Sequence, residues 1–279
     1  QGRGRVHEAG DRSGTMSTVP APPRSGYLEE AGTRLYFETH GDLEHSGPPL
    51  LLIHGAFGSG NPFAEALPYL TGEHTVILVD LQGHGRTADR LEPFTYQRFA
   101  DDCAAVLAHL GVTSCAVVGF SMGGGTAQQL AFRHPGVVER LVVISAPFSD
   151  TGWHADVRAN FRNTGSHQAP DVMDSFIYHD HAALAPKPEE FPALLDKLGG
   201  LLGGYAYDWS AEVAALAVPV LVAVGDADSL SPAHAAEFFA LLGGGLRDAG
   251  FDGGGLSTAR FAVLPRTSHY DIVRSPQLW

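Results

Sequence analysis

The stretch "CAVVGFSMGGGTAQQLAFRHP" at residues 115–135 joins a short apolar run to a serine among glycines, and then to a segment that can be helical from about Met122. A strand that turns at once into a helix forces the corner residue into strained backbone angles. Gly119 and Gly123 lie two positions before and after Ser121, where small residues let strand and helix pass closely. The pattern predicts a nucleophile elbow that presents the Ser121 hydroxyl at the carboxyl edge of a sheet.

A serine hydroxyl needs a base to become a good nucleophile near pH 7, and the base needs a third group to orient it. The chain has 14 histidines, so position must decide among them. His269 is the histidine that follows both a predicted strand and a candidate acid, and we expect it to be the base. Asp228, also just beyond a predicted strand, is the expected acid. Asp226 directly follows Gly225 and is expected to form a turn, while Asp150 is a third candidate.

A tetrahedral acyl intermediate needs at least two donors for its oxyanion, each worth on the order of 3 kcal/mol of barrier. We expect one donor to be the backbone N–H of Met122, the residue after the nucleophile. The second is expected from the loop "HGAFGSGNPF" at residues 54–63, whose small residues let backbone approach a ligand. Ala56 is the expected donor there and Phe57 the alternative. His54 is expected to fix the loop by hydrogen bonds.

Six short apolar runs without alternation are typical of parallel strands that are covered on both faces. A hairpin at residues 27–42 is predicted ahead of them. Helical patterns separate several runs; at residues 101–111 apolar side chains recur at i, i+3, i+4 and i+7. Strands that alternate with helices predict an α/β fold with a doubly wound, mostly parallel sheet. The runs are residues 49–55, 75–80, 115–120, 140–145, 218–225 and 259–265.

The interval between the fourth and fifth runs is far longer than the usual connection of a few residues. We expect residues 147–217 to form a helical cap, inserted into a core made of residues 26–146 and 218–279. Residues 1–25 are expected to be a disordered tail. Within it, residues 1–15 precede Met16 and are interpreted as a possible expression remnant.

Aromatic side chains are scattered through the expected cap. Trp153 and Phe176 from the cap, together with Phe57 from the core, are the candidates for contact with substrate. The alternative interpretation is that most of the aromatic residues of the cap only form its own small core.

Composition and charge exclude several classes of protein. The net charge of −13, from 18 Lys and Arg against 31 Asp and Glu, argues against nucleic-acid and anionic-membrane partners. No apolar run approaches the ~20 residues that span a bilayer, and the first residues lack the apolar region of a secretory signal. Cys103 and Cys115 are expected to be buried thiols rather than a disulfide. The expected location is the cytoplasm.

Six segments in order resemble the α/β-hydrolase superfamily, in its capped branch with a serine nucleophile. The resemblance covers most of residues 27–275 and implies the α/β-hydrolase fold. It also implies that Ser121 is the nucleophile, His269 the base and Asp228 the orienting acid, with Ala56 and Met122 as oxyanion donors. Haloalkane dehalogenases and epoxide hydrolases of this superfamily carry Asp at the elbow, so Ser121 disfavours both. The segments are "LLIHGAFGS", "VILVDLQGHGRT", "VVGFSMGGGTAQQLAFRHP", "RLVVISAP", "VPVLVAVGDADSLSP" and "LPRTSHYDI".

The segment "DLQGHGRT" at residues 80–87 resembles a common turn of that superfamily. Its His84 and Arg86 are expected to be structural residues near the site rather than catalytic ones.

The expected reaction is cleavage of a small to medium apolar carboxylic ester, or a related acyl bond, through an acyl-enzyme. No metal and no organic cofactor is expected, and the expected partner is a small-molecule acyl substrate. A perhydrolase or haloperoxidase-like activity, or hydrolysis of a C–C bond beside a ketone, remains open on the same three residues. A non-catalytic small-molecule receptor on this fold is the alternative outside enzymes. The sequence predicts no oligomeric state.

Overall fold

An eight-stranded sheet forms the centre of the protein in the computed structural model, which describes residues 23–41 and 47–279. Its spatial order is β1-β2-β4-β3-β5-β6-β7-β8. The strands are β1 (Arg24–Glu30), β2 (Thr33–His40), β3 (Gly47–Ile53), β4 (His74–Val79), β5 (Cys115–Phe120), β6 (Val138–Ile144), β7 (Val220–Ala227) and β8 (Arg260–Ser268).

The sheet is mostly parallel, as the apolar runs predicted. β1 and β2 form the predicted antiparallel hairpin, and β2 pairs antiparallel with β4. Every further pairing, from β4 through β3 and β5 to β8, is parallel. The carboxyl ends of these parallel strands therefore meet at one edge of the sheet. The predicted α/β class and doubly wound sheet are confirmed.

Helices pack on the sheet and fill the long interval between β6 and β7. α2, α3 and α9 contribute to the buried cluster on one face, and the short α1 packs against the cluster on the other. α2 packs against α3, α3 against β5 and β6, and α9 against β7. The helices are α1 (Leu67–Leu70), α2 (Tyr96–His109), α3 (Met122–Arg133), α4 (Ala155–Arg162), α5 (Ala169–Val172), α6 (Phe176–Leu184), α7 (Phe191–Leu202), α8 (Ser210–Ala214) and α9 (Pro232–Leu241).

The hydrophobic core lies on both sides of the sheet. Along β3, Leu51 and Ile53 contribute to one buried cluster, while Leu50 and Leu52 contribute to the other. Successive side chains of a strand point to opposite faces, so a strand that is buried on both faces must be apolar at every position. This explains why the parallel strands read as continuous apolar runs.

The two ends of the interval between β6 and β7 are joined to each other by a short antiparallel contact. Ser149 bridges Asp208, the N–H of Trp209 donates to Phe148 O (2.9 Å), and the N–H of Asp150 donates to Tyr207 O (3.1 Å). The helices α4 to α8 lie between these ends, and the inserted helical segment is confirmed. Its boundaries at 147 and 217 stay a prediction.

The expected N-terminal tail falls largely outside the described residues, since description starts at residue 23. β1 begins at Arg24, two residues before the predicted start of the core at residue 26. Within the described part of the chain, no helix has both the length and the apolar character that crossing a membrane requires.

Candidate active site

Ser121 sits at the corner between β5 and α3 with backbone angles φ 54° and ψ −121°. A positive φ is uncommon for a residue with a side chain, and such strain is often found at functional sites. The N–H of Ser121 donates to Ile144 O (2.9 Å), and its C=O accepts from the N–H of Gly124 (2.8 Å). These backbone hydrogen bonds hold the corner in place, and the Ser121 side chain is half-buried.

Two of the surrounding glycines are required by close backbone approach. A Cβ at Gly119 would lie 2.2 Å from Gly123 O, and one at Gly123 would lie 2.2 Å from Ile53 O. Contacts this short are impossible for a real side chain. The absence of side chains therefore lets α3 start directly above β5 and beside the end of β3.

The other two glycines fit α3 against neighbouring elements. A Cβ at Gly124 would lie 2.5 Å from the Cβ of Ala146, and one at Gly125 would lie 2.5 Å from the ring of Tyr96. The glycine-rich sequence after Ser121 is thus explained by the packing of the first turn of α3 against β6 and α2.

Three side chains predicted from the sequence are brought together at the carboxyl edge of the sheet. The Nε2 atom of His269 lies 3.0 Å from Ser121 Oγ, and its Nδ1 atom lies 2.8 Å from Asp228 Oδ1. Because a carboxylate accepts, Nδ1 carries the proton, and Nε2 is left to accept from the serine hydroxyl. The three residues follow β5, β7 and β8, as the sequence predicted.

The Asp228 carboxylate is held by a nearly complete set of donors. Oδ1 accepts from His269 and from the N–H of Leu230 (3.2 Å), while Oδ2 accepts from Ser145 Oγ (2.5 Å) and the N–H of Gly225 (3.1 Å). Burial raises the pKa of Asp228, but the hydrogen bonds and charge of His269 and the hydroxyl of Ser145 outweigh it, so the net pKa is lowered. Asp228 is therefore an anion that faces His269.

Ser145 is a member of the site that the sequence analysis missed. It is fully buried at the end of β6, has φ 50°, and donates to Asp228. The available signal was its position, since it directly follows "LVVI" at the same edge of the sheet as Ser121. Serine at a strand end is too common for that signal to identify it alone.

The two other candidate acids lie elsewhere. Asp226 is exposed and lies within β7 rather than in the expected turn, and it accepts from the N–H of Thr267 (3.1 Å), so it links β7 to β8. Asp150 forms an ion pair with Arg158 (2.8 Å). Of the three acids, it is Asp228 that accepts a hydrogen bond from His269 Nδ1.

The loop after β3 lies against Ser121. A Cβ at Gly55 would be 3.2 Å from the Cβ of Ser121, and the N–H of Gly58 donates to Gly55 O (3.2 Å), which closes a turn. Ala56 and Phe57 are the central residues of this turn, and Phe57 has φ 59°. Met122 opens α3 and is fully buried. Of the two expected oxyanion donors, Met122 directly follows Ser121, and Ala56 directly follows Gly55, which contacts Ser121. Their roles as donors stay proposals.

His54 fixes this loop through both ring nitrogens. Its Nδ1 donates to Gly55 O (2.7 Å), and its Nε2 accepts from the N–H of Leu81 (3.0 Å). Burial lowers the pKa of His54 to about 4, so the ring is neutral near pH 7. The structural position expected for His54 matches these contacts.

The turn after β4 supports the same loop. Asp80 accepts from the N–H of Gly60 (2.9 Å) and from the N–H and Nη1 of Arg86 (2.9 and 3.1 Å). The ring of His84 lies 5.3 Å from that of His54, and burial lowers the pKa of His84 to about 3. Arg86 and His84 are thus embedded in the packing behind the site.

Aromatic rings surround His269. Its ring centroid lies 5.1 Å from that of Phe120 and 5.6 Å from that of Trp153. Trp153 is 5 % exposed and also packs edge-on against Phe161. Of the three predicted substrate contacts, Trp153 therefore lies at the site. Phe57 lies in the loop beside Ser121, whereas Phe176 is 75 % exposed at the start of α6 and stays a prediction.

The first residues of the inserted segment are hydrogen-bonded to the loop that carries Asp228. The N–H of His154 donates to Ser229 O (3.1 Å), the N–H of Ser231 donates to Gly152 O (3.1 Å), and Trp153 bridges Leu230. The position of the inserted segment is therefore coupled to the position of Asp228 and of the His269 ring.

The site holds no evident metal-binding group. Among residues 23–41 and 47–279, no three or more His, Cys, Asp or Glu side chains are arranged to hold a metal ion.

Comparisons with known proteins agree with this fold. The family model of the alpha/beta hydrolase fold matches residues 48–185. A stretch of 101 residues, 35 % of this chain and 32 % of the relative, is 41 % identical to the sn-1-specific diacylglycerol lipase of Xenopus laevis. Over 102 residues, 36 % of this chain and 35 % of the relative, the identity to the magnesium-chelatase 30 kDa subunit of Rhodobacter capsulatus is 43 %.

Those matches span about a third of the length of each curated relative. A crystal structure of a hydrolase from Pseudomonas aeruginosa superimposes with a TM-score of 0.66 and 21 % identity, over 91 % of this chain and 94 % of that one. This likeness supports the fold over nearly the whole chain. The chain belongs to the α/β-hydrolase superfamily.

Proposed function

We propose that the protein is a serine hydrolase that cleaves a carboxylic ester or a related acyl bond through an acyl-enzyme. The observation that carries the proposal is the continuous hydrogen-bonded chain from Ser121 through His269 to Asp228. A serine, a histidine and a buried carboxylate in this order have the geometry of an activated nucleophile. The lipase relative described above supports acyl chemistry, but the match covers only a third of that protein.

The reaction begins with removal of the Ser121 proton by His269 Nε2, 3.0 Å away. The serine oxygen attacks the acyl carbon and forms a C–O bond, while the carbonyl electrons move to the oxygen. His269 then gives the proton to the leaving alcohol as the C–O bond to it breaks. In the second half, His269 takes a proton from water, the resulting hydroxide attacks the acyl-enzyme, and Ser121 is regained with its proton.

The oxyanion is stabilised by the backbone N–H groups of Met122 and Ala56 in this proposal. Met122 stands at the N-terminus of α3, where the helix dipole also favours negative charge. Ala56 lies in the turn that Gly55 places against Ser121. Donors of this kind are each worth on the order of 3 kcal/mol of barrier.

Asp228 holds the imidazole in one tautomer and stabilises its positive charge after proton transfer. Ser145 and two backbone N–H groups fix the carboxylate, so its Oδ1 stays directed at His269 Nδ1. Residues 147–217 act as a cap in this proposal, because Trp153 places the inserted segment directly on the His269 ring. Neither a metal nor an organic cofactor takes part.

The decisive experiment is labelling by a fluorophosphonate probe with the adduct mapped by peptide mass. Wild-type protein should carry the adduct on Ser121. Ser121→Ala should lose it, and His269→Ala should lose most of it because the serine is no longer activated. Against an ester, Ser121→Ala should lose at least ~10³-fold in kcat.

His179→Ala is a suitable control because His179 is exposed on α6. It should label like wild type. No adduct on folded wild-type protein, or an adduct on another serine, would refute the proposal and favour the non-catalytic receptor.

A further inference from the structure

A small pocket lies between the loop beside Ser121, helix α6 and the turn that follows His269. Its volume is about 110 Å³, and its walls include Phe57, Gly58, Gly85, Leu184, and the charged pair Asp180 and Arg274. We call it the α6 pocket. Phe57 is two residues from Gly55, which contacts Ser121, and Arg274 is five residues from His269. The pocket and the candidate site therefore share the turn from Gly55 to Gly58, which contacts Ser121 through Gly55 and lines the pocket through Phe57 and Gly58.

Two exposed residues of opposite charge, Asp180 and Arg274, line the α6 pocket, and together they favour a neutral group over an ion. Asp180 offers a carboxylate and Arg274 a guanidinium on the same small volume. A bound anion would face the carboxylate, and a bound cation would face the guanidinium. A hydroxyl is neutral and can both donate to Asp180 and accept from Arg274.

His181 adds a second reason to expect a hydroxyl. It lines the same pocket, is only 7 % exposed, and its Nε2 has no hydrogen-bond partner within the described part of the chain. Burial lowers the pKa of His181, so the ring is neutral near pH 7 and Nε2 is a donor in one tautomer and an acceptor in the other. A hydroxyl group can bind either form, whereas a carbonyl can bind only one.

His84 is a second buried imidazole with an open nitrogen, although it does not line the pocket. Its Nδ1 donates to Gln82 O (2.9 Å), which leaves Nε2 as an acceptor, and that Nε2 is also unpartnered among the described residues. His84 directly precedes Gly85 of the pocket wall. His181, which does line the pocket, is therefore the residue that points to a ligand, because buried polar groups are normally hydrogen-bonded.

The size of the pocket limits the group that enters it. At about 110 Å³ the pocket is smaller than the roughly 300–1,000 Å³ of typical ligand sites, so it fits one group of a substrate rather than the whole molecule. Phe57 and Leu184 supply apolar surface for the carbon atoms of that group.

We propose that the α6 pocket is a subsite for a short hydroxyl-bearing group of the substrate, bound by His181, Asp180 and Arg274. The inference rests on the proposed serine hydrolase function and narrows its substrate class to esters that carry a hydroxyl near the scissile bond, in place of the apolar esters expected from the sequence.

The test uses two matched pairs of esters. One pair is propyl butyrate and 2,3-dihydroxypropyl butyrate, which differ on the alcohol side. The other is methyl butyrate and methyl 3-hydroxybutyrate, which differ on the acyl side. Wild-type protein should show a kcat/KM at least about tenfold higher for the hydroxylated member of one pair.

The variant His181→Leu should remove that preference. It should lower kcat/KM at least about tenfold for the hydroxylated ester and less than about threefold for its partner. His179→Leu, on the exposed side of the same helix, should keep the preference. The subsite would be overturned if wild-type kcat/KM were about equal for the two members of each pair. It would also be overturned if His181→Leu lowered kcat/KM equally for both members.

A binding measurement separates the subsite from the chemistry. In Ser121→Ala protein, 1-propanol should shift the ¹⁵N resonances of the His181 imidazole, and 1-chloropropane, which has no hydroxyl, should not. Equal shifts, or none, would refute the subsite even if esters are cleaved. Shifts in a protein that neither cleaves esters nor takes the fluorophosphonate would support the subsite and refute the proposed function.

Discussion

The hydroxyl of Ser145 donates to Asp228 Oδ2 over 2.5 Å, on the side of the carboxylate opposite His269. Ser145 follows β6 as Ser121 follows β5, and these strands are neighbours in the sheet. Both serines have positive φ, 50° and 54°. Two adjacent strand ends thus hold strained serines, one directed at the histidine and the other at the acid that orients it.

Removal of the Ser145 hydroxyl should lower activity without unfolding the protein. Ser145→Gly removes the donor to Asp228 and suits the positive φ, while Ser145→Ala removes the donor but keeps a Cβ in the strained conformation. Because the carboxylate loses one of its four donors, kcat should fall about tenfold in both variants. Steady-state kinetics across pH would measure the loss and any shift of the acid limb.

Thermal unfolding of the same two variants separates the hydroxyl from the strain. Ser145→Gly should be the more stable of the two, by about 1 kcal/mol, yet equally impaired in kcat. An activity loss that follows the order of stability would contradict a role for the hydroxyl.

Gly123 should tolerate no side chain. A Cβ there would lie 2.2 Å from Ile53 O and 2.4 Å from His54 O. These are backbone atoms of a central strand and its loop, and they cannot move aside. Gly123→Ala should therefore destabilise the protein by about 3 kcal/mol or more, or prevent folding, as measured by urea unfolding.

Gly136→Ala is the matched control for that substitution. Gly136 is exposed, and nothing lies within 4 Å of the Cβ it would carry. Its free energy of unfolding should stay within about 0.5 kcal/mol of wild type. Equal behaviour of the two variants would show that close backbone approach is not what Gly123 provides.

Much of the fold and the site could be predicted from the sequence because local signals and global packing agree. The elbow needs Gly119 and Gly123 so that strand and helix backbones can approach closely. Residues next to Ser121 in the sequence therefore identify it. Asp228 and His269 could be chosen because residues beyond parallel strands share one edge of the sheet. The strands were visible because burial on both faces demands continuous apolar runs.

The parts that could not be predicted depend on contacts between distant residues. Ser145 and Asp228 are 83 positions apart, and nothing local marks the serine as a donor to the acid. The positions of the predicted substrate contacts could not be told apart for the same reason: Trp153 reaches His269, but Phe176, equally aromatic, is exposed. Composition cannot tell an aromatic side chain that packs on the site from one on the surface.

Both cysteine thiols should be unreactive in the folded protein. Cys103 and Cys115 are free and fully buried, and burial raises the pKa of Cys115 to about 12 and raises that of Cys103 further. The thiolate is the reactive form, so a chromogenic disulfide reagent should titrate no thiol at pH 8. In guanidinium chloride it should titrate two. Rapid reaction of the native protein would show that the helix α2 and strand β5 open readily.

Stability should fall as the pH is lowered from about 6.5 to about 4. In the unfolded chain a histidine takes up its proton near pH 6.5. In the folded protein, burial lowers the pKa of His54 to about 4 and that of His84 to about 3. Between these values the unfolded state binds more protons, so each histidine removes up to about 1.4 kcal/mol of stability per pH unit as the pH falls.

His84→Gln should flatten this dependence, because the glutamine amide keeps a donor for Gln82 O but does not titrate. Urea unfolding at pH 4.5, 5.5 and 6.5 should show a slope smaller by about 1.4 kcal/mol per pH unit than in wild type. His179→Gln, which removes an exposed histidine, should leave the slope unchanged. If both substitutions flatten it equally, or neither does, the neutral buried state of His84 is wrong. In that case its Nε2 would carry a proton and could no longer accept a hydrogen bond.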